Sequence, residues 1–183
     1  MSAAIPYDER VASIVLSAKE DNLKTARECI LIGLGAALKQ LARIETIPRS
    51  TILISIPSAR AANRRRGGDY LFNLVHDFLK TPDISVIKFL TEPIAPMLIQ
   101  KSHVRDQSGL SALEREQNMN SAIFVDERVI AKYKNLPINV LLVDDVITSG
   151  ATLKSAISAL EASKITVIGA IAACASRHQM RIP

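Results

Sequence analysis

One stretch constrains this chain more than any other. Asn139-Val140-Leu141-Leu142-Val143-Asp144-Asp145-Val146-Ile147-Thr148-Ser149-Gly150-Ala151-Thr152 changes character twice in fourteen residues. Val140 to Val143 is a continuous apolar run rich in β-branched residues, which is how a strand buried on both faces of a parallel sheet reads. Two carboxylates follow, then a small, hydroxyl-rich turn. Leu153, Ile157 and Leu160 then recur at helical spacing. The order is strand, acidic pair, tight loop, helix. In an open α/β sheet, ligands sit beyond the carboxyl ends of the strands. A helix N-terminus with unpaired N–H groups suits a phosphate there. Gly150 lets backbone approach closely, and Thr148, Ser149 and Thr152 add hydroxyl donors. The turn lacks the lysine of a Walker loop. Asp144 and Asp145 would repel phosphate, so their work is to accept hydrogen bonds from hydroxyls or to attract Mg²⁺, directly or through water. A ligand carrying sugar hydroxyls beside a phosphate satisfies both halves.

The ten residues Val143 to Thr152 resemble, without a gap, the phosphoribosyl pyrophosphate (PRPP) motif of the type I phosphoribosyltransferases. The resemblance implies an α/β fold with a mostly parallel central sheet flanked by helices. It implies that Asp144 and Asp145 hold the ribose hydroxyls as the catalytic pair. Thr148, Ser149, Gly150, Ala151 and Thr152 would then hold the 5′-phosphate. Mg²⁺ would arrive with PRPP, bridged to the two acids through water, with no direct protein metal site.

A chain of 183 residues suits one domain. Residues 1–183 read as a single unit, with a helical N-terminal segment over 1–45 and a core over 46–183. The core draws on Leu, Ile, Val and Ala, since aromatics are 4% and tryptophan is absent. A net charge of +5 favours anionic ligands, whether pyrophosphate, nucleotide or nucleic acid. Cys29 and Cys174 form neither a Cys-x-x-Cys pair nor a metal spacing, and both read as buried thiols of a reducing cytoplasm. No signal peptide is visible, and the apolar run from Cys29 to Leu38 is too short to span a bilayer. A soluble, cytoplasmic protein is expected.

Helices are expected over Tyr7 to Lys19 and Leu23 to Ala42, the second with Gly33 and Gly35 placed for close packing. Strands are expected at Thr51 to Ile56, Ser85 to Leu90, Met97 to Gln100 and Ala122 to Val125. Thr166 to Ala173 is expected to close the sheet. Between the first of these strands and a helix opened by Gly67-Gly68-Asp69 lies an arginine-rich loop. There Ser58, Ala59, Arg60, Arg64, Arg65 and Arg66 combine forked donors with a small-residue turn, which suits pyrophosphate. The family's pyrophosphate loop occupies this place. A solvated basic turn or a nucleic-acid patch fits the same residues. Residues 101 to 111 are polar and long enough for a lid that excludes water. They sit where the family places its flexible loop, with Arg105 and Gln107 as candidate contacts.

The order of these pieces, from Ile5 to Arg177, is similar to the ComF family, which is linked to competence and DNA uptake in bacteria. Two features depart from it. No cysteine-paired zinc module is present. Arg66-Gly67 leads into Gly68-Asp69-Tyr70, where that family commonly has an aromatic, Asn or Asp, and Gln. Two functions therefore stand side by side. One is an enzyme that moves phosphoribosyl from Mg-PRPP to a nitrogenous base. The other is a non-enzymatic binder of PRPP or of a ribose 5-phosphate-containing nucleotide, acting with single-stranded DNA or the competence machinery. A homodimer stays open as a further partner.

Overall fold

The computed structural model describes residues 1–58, 60–87, 93–100, 123–133 and 136–179. Four parallel strands form the central sheet: β1 (Ser2–Pro6), β2 (Thr51–Ser55), β5 (Asn139–Ile147) and β6 (Thr166–Ala175), in the order β1-β6-β5-β2. Beyond β2, Ile94 makes a single parallel bridge to Leu53. β3 (Leu98–Gln100) and β4 (Ile123–Val125) form a separate antiparallel pair. The helices are α1 (Glu9–Lys19), α2 (Lys24–Ile44), α3 (Arg60–Arg66), α4 (Tyr70–Phe78), α5 (Glu127–Ile130) and α6 (Ala151–Ala162). This is the expected α/β fold, a parallel sheet flanked by helices.

The two central strands are buried as their composition demands. Ile52, Leu53 and Ile54 of β2 and Val140 to Val143 of β5 are fully inaccessible. Each such side chain contributes roughly 1.5–3 kcal/mol of burial. α2 lies across β1 and β6 and presents Ile30, Gly33, Leu34, Ala37, Leu38 and Leu41 to the core. Gly33 is what lets it approach. A Cβ there would stand 3.0 Å from the Ala173 Cβ and 3.1 Å from the Ala173 backbone. α4 packs on β2 and α2, while α6 packs on β4 and β6.

Several expectations change. Ser2–Pro6 is an edge strand, which its small residues did not announce. It pairs with β6 from Ser2 opposite Ile171 to Pro6 opposite Ala175. Its proline is tolerated because an edge strand leaves one side unpaired. β6 is therefore interior and closes nothing. Pro82–Val86 is a 3-10 helix, so Ser85 and Val86 are not strand, and 88–90 lie outside the described residues. The arginine segment is helical from Arg60 to Arg66, since Ala and Arg favour helix and nothing breaks the run before Gly67. Gly67, at φ +72°, ends it. Its N–H donates to the Arg64 carbonyl, and the Gly68 N–H donates to that of Asn63. Those two bonds close a Schellman turn. Cys29 is exposed rather than buried, because it falls off the stripe that Ile30 and Leu34 define; Cys174 is buried. Among the described residues, no helix is long and apolar enough to cross a membrane.

Candidate functional site

The connections leaving β5 and β2 diverge. β5 runs through α6 to β6 on one side, while β2 leads towards Ile94 on the other. A crevice opens at such a reversal of strand order, outside the carboxyl ends. The register shows where it begins. Pairing between β2 and β5 stops at Ser55 opposite Val143, whereas β5 continues beside β6 to Ile147. A cavity of about 290 Å³ sits there. Ile56, Pro57 and Ser58 line it from the end of β2, Asp144, Asp145 and Val146 from β5, and Thr152 from α6. Lys19 at the end of α1 also lines it.

Asp144 and Asp145 lie within β5, not after it. As neighbours in a strand they point to opposite faces. Asp145 shares parity with Leu141, which lies on the α2 side: a Cβ on Gly169 would be 3.6 Å from Leu41 and 3.8 Å from Leu141. On that side Asp145 is 2% exposed, and its Oδ2 stands 2.8 Å from the Lys19 Nζ. The contact is an ion pair by distance, with an angle outside hydrogen-bond geometry. A buried carboxylate without a counter-charge would cost several kcal/mol. Asp144 accepts a hydrogen bond from the Asp145 N–H at 2.9 Å. It is half-buried at its surface yet ringed by protein. Burial first, then the charge of Asp145, hold its carboxyl well above the ordinary range, and Lys19 pulls the other way.

The turn after β5 is built on Gly150, which at φ +74° is left-handed and opens α6. No side chain caps the helix. Thr148, Ser149 and Thr152 are exposed, and the Ala151 N–H donates to the Ser149 Oγ at 3.3 Å. The C-terminal segment braces the turn. Ser176 Oγ donates to the Thr148 carbonyl at 2.7 Å, and Gln179 Nε2 to that of Ser149 at 2.9 Å.

The expected site residues are therefore only partly gathered. Ser58, Asp144, Asp145 and Thr152 line one cavity. Arg64 and Arg65 are exposed on α3. Arg66 turns elsewhere: its Nε donates to the Ala62 carbonyl at 3.2 Å and lies 3.8 Å from Glu20. Ala59, the Arg60 side chain, Arg105 and Gln107 lie outside the described residues. Sequence reasoning missed Lys19, because the spacing of α1 marks it only as a solvated helix end. Among the described residues no cluster of three or more His, Cys, Asp or Glu could ligate a metal. Asp144 and Asp145 form a pair and nothing more.

Among curated proteins there is no match to this chain. The model of the phosphoribosyl transferase domain matches residues 90–181, which takes in β3, β4, the acidic pair, the Gly150 turn and β6. That match spans half of the chain and agrees with the parallel sheet and the crevice at its strand reversal, so the chain belongs to the phosphoribosyl transferase domain family.

Proposed function

We propose that this protein binds Mg-PRPP in the cavity between β2 and β5 and transfers its phosphoribosyl group to a nitrogenous base, releasing pyrophosphate. The observation that carries the reading is the meeting in one cavity of the Ser58 turn, both aspartates and the start of α6. Asp144 and Asp145 accept hydrogen bonds from the ribose hydroxyls. The N–H groups and hydroxyls from Thr148 through Ala151 to Thr152 take the 5′-phosphate. Ser58 and Ala59, with Arg60, Arg64 and Arg65 nearby in the chain, take the pyrophosphate. The C1–O bond breaks with its electron pair leaving on pyrophosphate, and a C1–N bond forms to the base. Positive charge grows on the ribose meanwhile, and the acidic pair beside it lowers the barrier electrostatically. Lys19 keeps that pair from carrying two uncompensated charges. The acids suit Mg²⁺ held through water, and the ion would neutralise the departing pyrophosphate. Arg105 and Gln107 are further contacts for PRPP in this reading. The activity belongs in the cytoplasm.

A second reading has its own support. Arg64 and Arg65 are exposed side by side on α3, which suits a ComF-type accessory protein that binds PRPP or nucleotide without turnover and touches single-stranded DNA. Labelled PRPP incubated with a panel of bases separates the two. Base-dependent pyrophosphate release is expected. Binding without release, together with DNA affinity that falls steeply with salt, would establish the second reading instead. Asp144→Asn with Asp145→Asn should weaken PRPP affinity much more than it lowers the melting temperature. Unchanged affinity would remove the acidic pair from the site.

A further inference from the structure

A second cavity, of about 180 Å³, opens on the other side of Lys19, between α1, α2 and the turn from α3 to α4. Lys19, Arg27, Arg66 and Tyr70 line it, against a single acid, Glu20. We infer that this cavity is a binding site for a phosphate-sized oxyanion, with Arg66 and Tyr70 as its donors. The inference does not depend on the function proposed above.

Two hydrogen-bond partners are missing beside this cavity. Arg66 Nη1 and Tyr70 Oη are buried, and neither has a hydrogen-bond partner. The Arg66 side chain is 11% exposed and Tyr70 is 5% exposed. Leaving such a group buried and unsatisfied carries its full desolvation penalty. Both groups are donors. The guanidinium has no acceptor capacity. Burial, and after it the charge of Asp145, keep the Tyr70 phenol protonated far beyond neutral pH. What is missing is therefore an acceptor. The other cations are already engaged. Arg27 pairs with Asp77 and lies over the Tyr70 ring, 5.7 Å from its centre, which fixes the ring and leaves the hydroxyl as the free end. Lys19 pairs with Asp145. Glu20 is 3.8 Å from the Arg66 Nε, and Nη1 has no hydrogen-bond partner. The cavity holds several times the roughly 30 Å³ share of one water. Two unmet donors and this volume together select an oxyanion. Gly67 and Gly68 edge the cavity without side chains, so the ligand enters beside bare backbone. Lys19 stands in the wall of both cavities. An anion here competes with Asp145 for its ammonium and is felt at the acidic pair.

The test is calorimetric titration of the full chain with inorganic phosphate, for the wild type and for Arg66→Gln, Tyr70→Phe and Gly150→Val. Arg66→Gln should weaken phosphate binding about tenfold or more, the size of a lost charge-assisted hydrogen bond, and Tyr70→Phe several-fold. Gly150→Val, which damages the other phosphate-sized site, should leave this binding in place. Tyr70→Phe keeps the ring and its stacking, so it reads the site even if Arg66→Gln fails to fold. No phosphate binding by the wild type would overturn the inference. So would binding lost in Gly150→Val and kept in the Arg66 and Tyr70 variants, since that assigns phosphate to the Thr148–Thr152 turn alone. Ribose 5-phosphate titrated into the same four proteins reports the PRPP cavity as the part of its binding that Gly150→Val removes and that Arg66→Gln and Tyr70→Phe keep, so failure of one site is not mistaken for failure of the other.

Discussion

Replacing Lys19 by Met should destabilise the protein and should do so in a pH-dependent way. The Lys19 ammonium stands 2.8 Å from Asp145 Oδ2, with the lysine side chain 30% exposed and the aspartate 2%. At an effective dielectric constant near 20 the gross attraction is about 6 kcal/mol, most of it offset by the cost of drying the two charges. Removing one member of a buried pair typically costs about 3–5 kcal/mol. Lys19 keeps some contact with water, so the expected loss is smaller, about 2 kcal/mol. For a domain of this size that is a fall of roughly 4–8 °C in melting temperature. The pH dependence comes through Asp144. Its carboxyl is already held well above the ordinary range by burial and by Asp145, and Lys19 opposes that shift. Without Lys19 the folded-state value rises further. A carboxyl raised on folding binds more protons in the native state, so it adds stability below its unfolded value and loses it as pH rises through the folded one. The penalty of Lys19→Met should thus be greatest at alkaline pH and shrink as pH falls back through the raised folded value towards the unfolded carboxylate range. Urea unfolding across that range measures it, with Lys19→Arg as a charge-retaining control. Adding Asp145→Asn to Lys19→Met should restore part of the loss, since the orphaned charge is then gone. A loss below about 0.5 kcal/mol, the level of an ordinary surface change, would refute the reasoning. So would the same loss at every pH, or a double variant no more stable than Lys19→Met.

Three further outcomes are expected. Gly150→Val puts a β-branched residue at φ +74°, a strain of roughly 1–2 kcal/mol; ribose 5-phosphate binding should be lost while circular dichroism keeps the signature of the sheet, and calorimetry showing unchanged affinity would exclude the turn as a phosphate cradle. Gly33→Ala drives a methyl to 3.0 Å from the Ala173 Cβ and 3.1 Å from its backbone; overpacking of about 1–3 kcal/mol should outweigh the helix-propensity gain of about 1 kcal/mol, so a urea midpoint that rises would contradict the close α2–β6 contact. Cys29 is exposed, whereas burial, and then the charge of Asp145, push the Cys174 thiol up to about 12; an aromatic disulfide reagent should titrate one thiol quickly in the native protein and the second only after unfolding, and two fast thiols would show that Cys174 is accessible.

Much of the site was legible in the chain because it is local. The apolar run Val140–Val143 predicts a doubly buried strand, and it is one. The change from that run to Asp144-Asp145, to Gly150 and then to a helical period places acid, turn and helix in order, since covalent continuity carries them. The α1 and α2 stripes were readable for the same reason: a helix buries one face, and 3.6-residue spacing records which. The Asp69 cap also follows from sequence, its carboxylate accepting from the Phe72 N–H at 3.1 Å.

What the chain could not declare by itself is every relation set by strand order. Ser2-Ala3-Ala4-Ile5-Pro6 has no pattern of its own and becomes a strand because β6 offers it a free edge. Leu98–Gln100 and Ile123–Val125 look like strands of the main sheet but pair with each other outside it. Arg66 reads like its neighbours Arg64 and Arg65. The pitch of α3 sends Arg64 and Arg65 to solvent and Arg66 into the wall of a second cavity. Above all, nothing near Asp145 in sequence supplies its counter-charge. Lys19 does so from the other end of the chain, because β1 and β5 both flank β6 and α1 follows β1 directly. Periodicity is a property of neighbours along the chain. The partner of a buried charge is decided by which strands lie side by side, and only the folded sheet decides that.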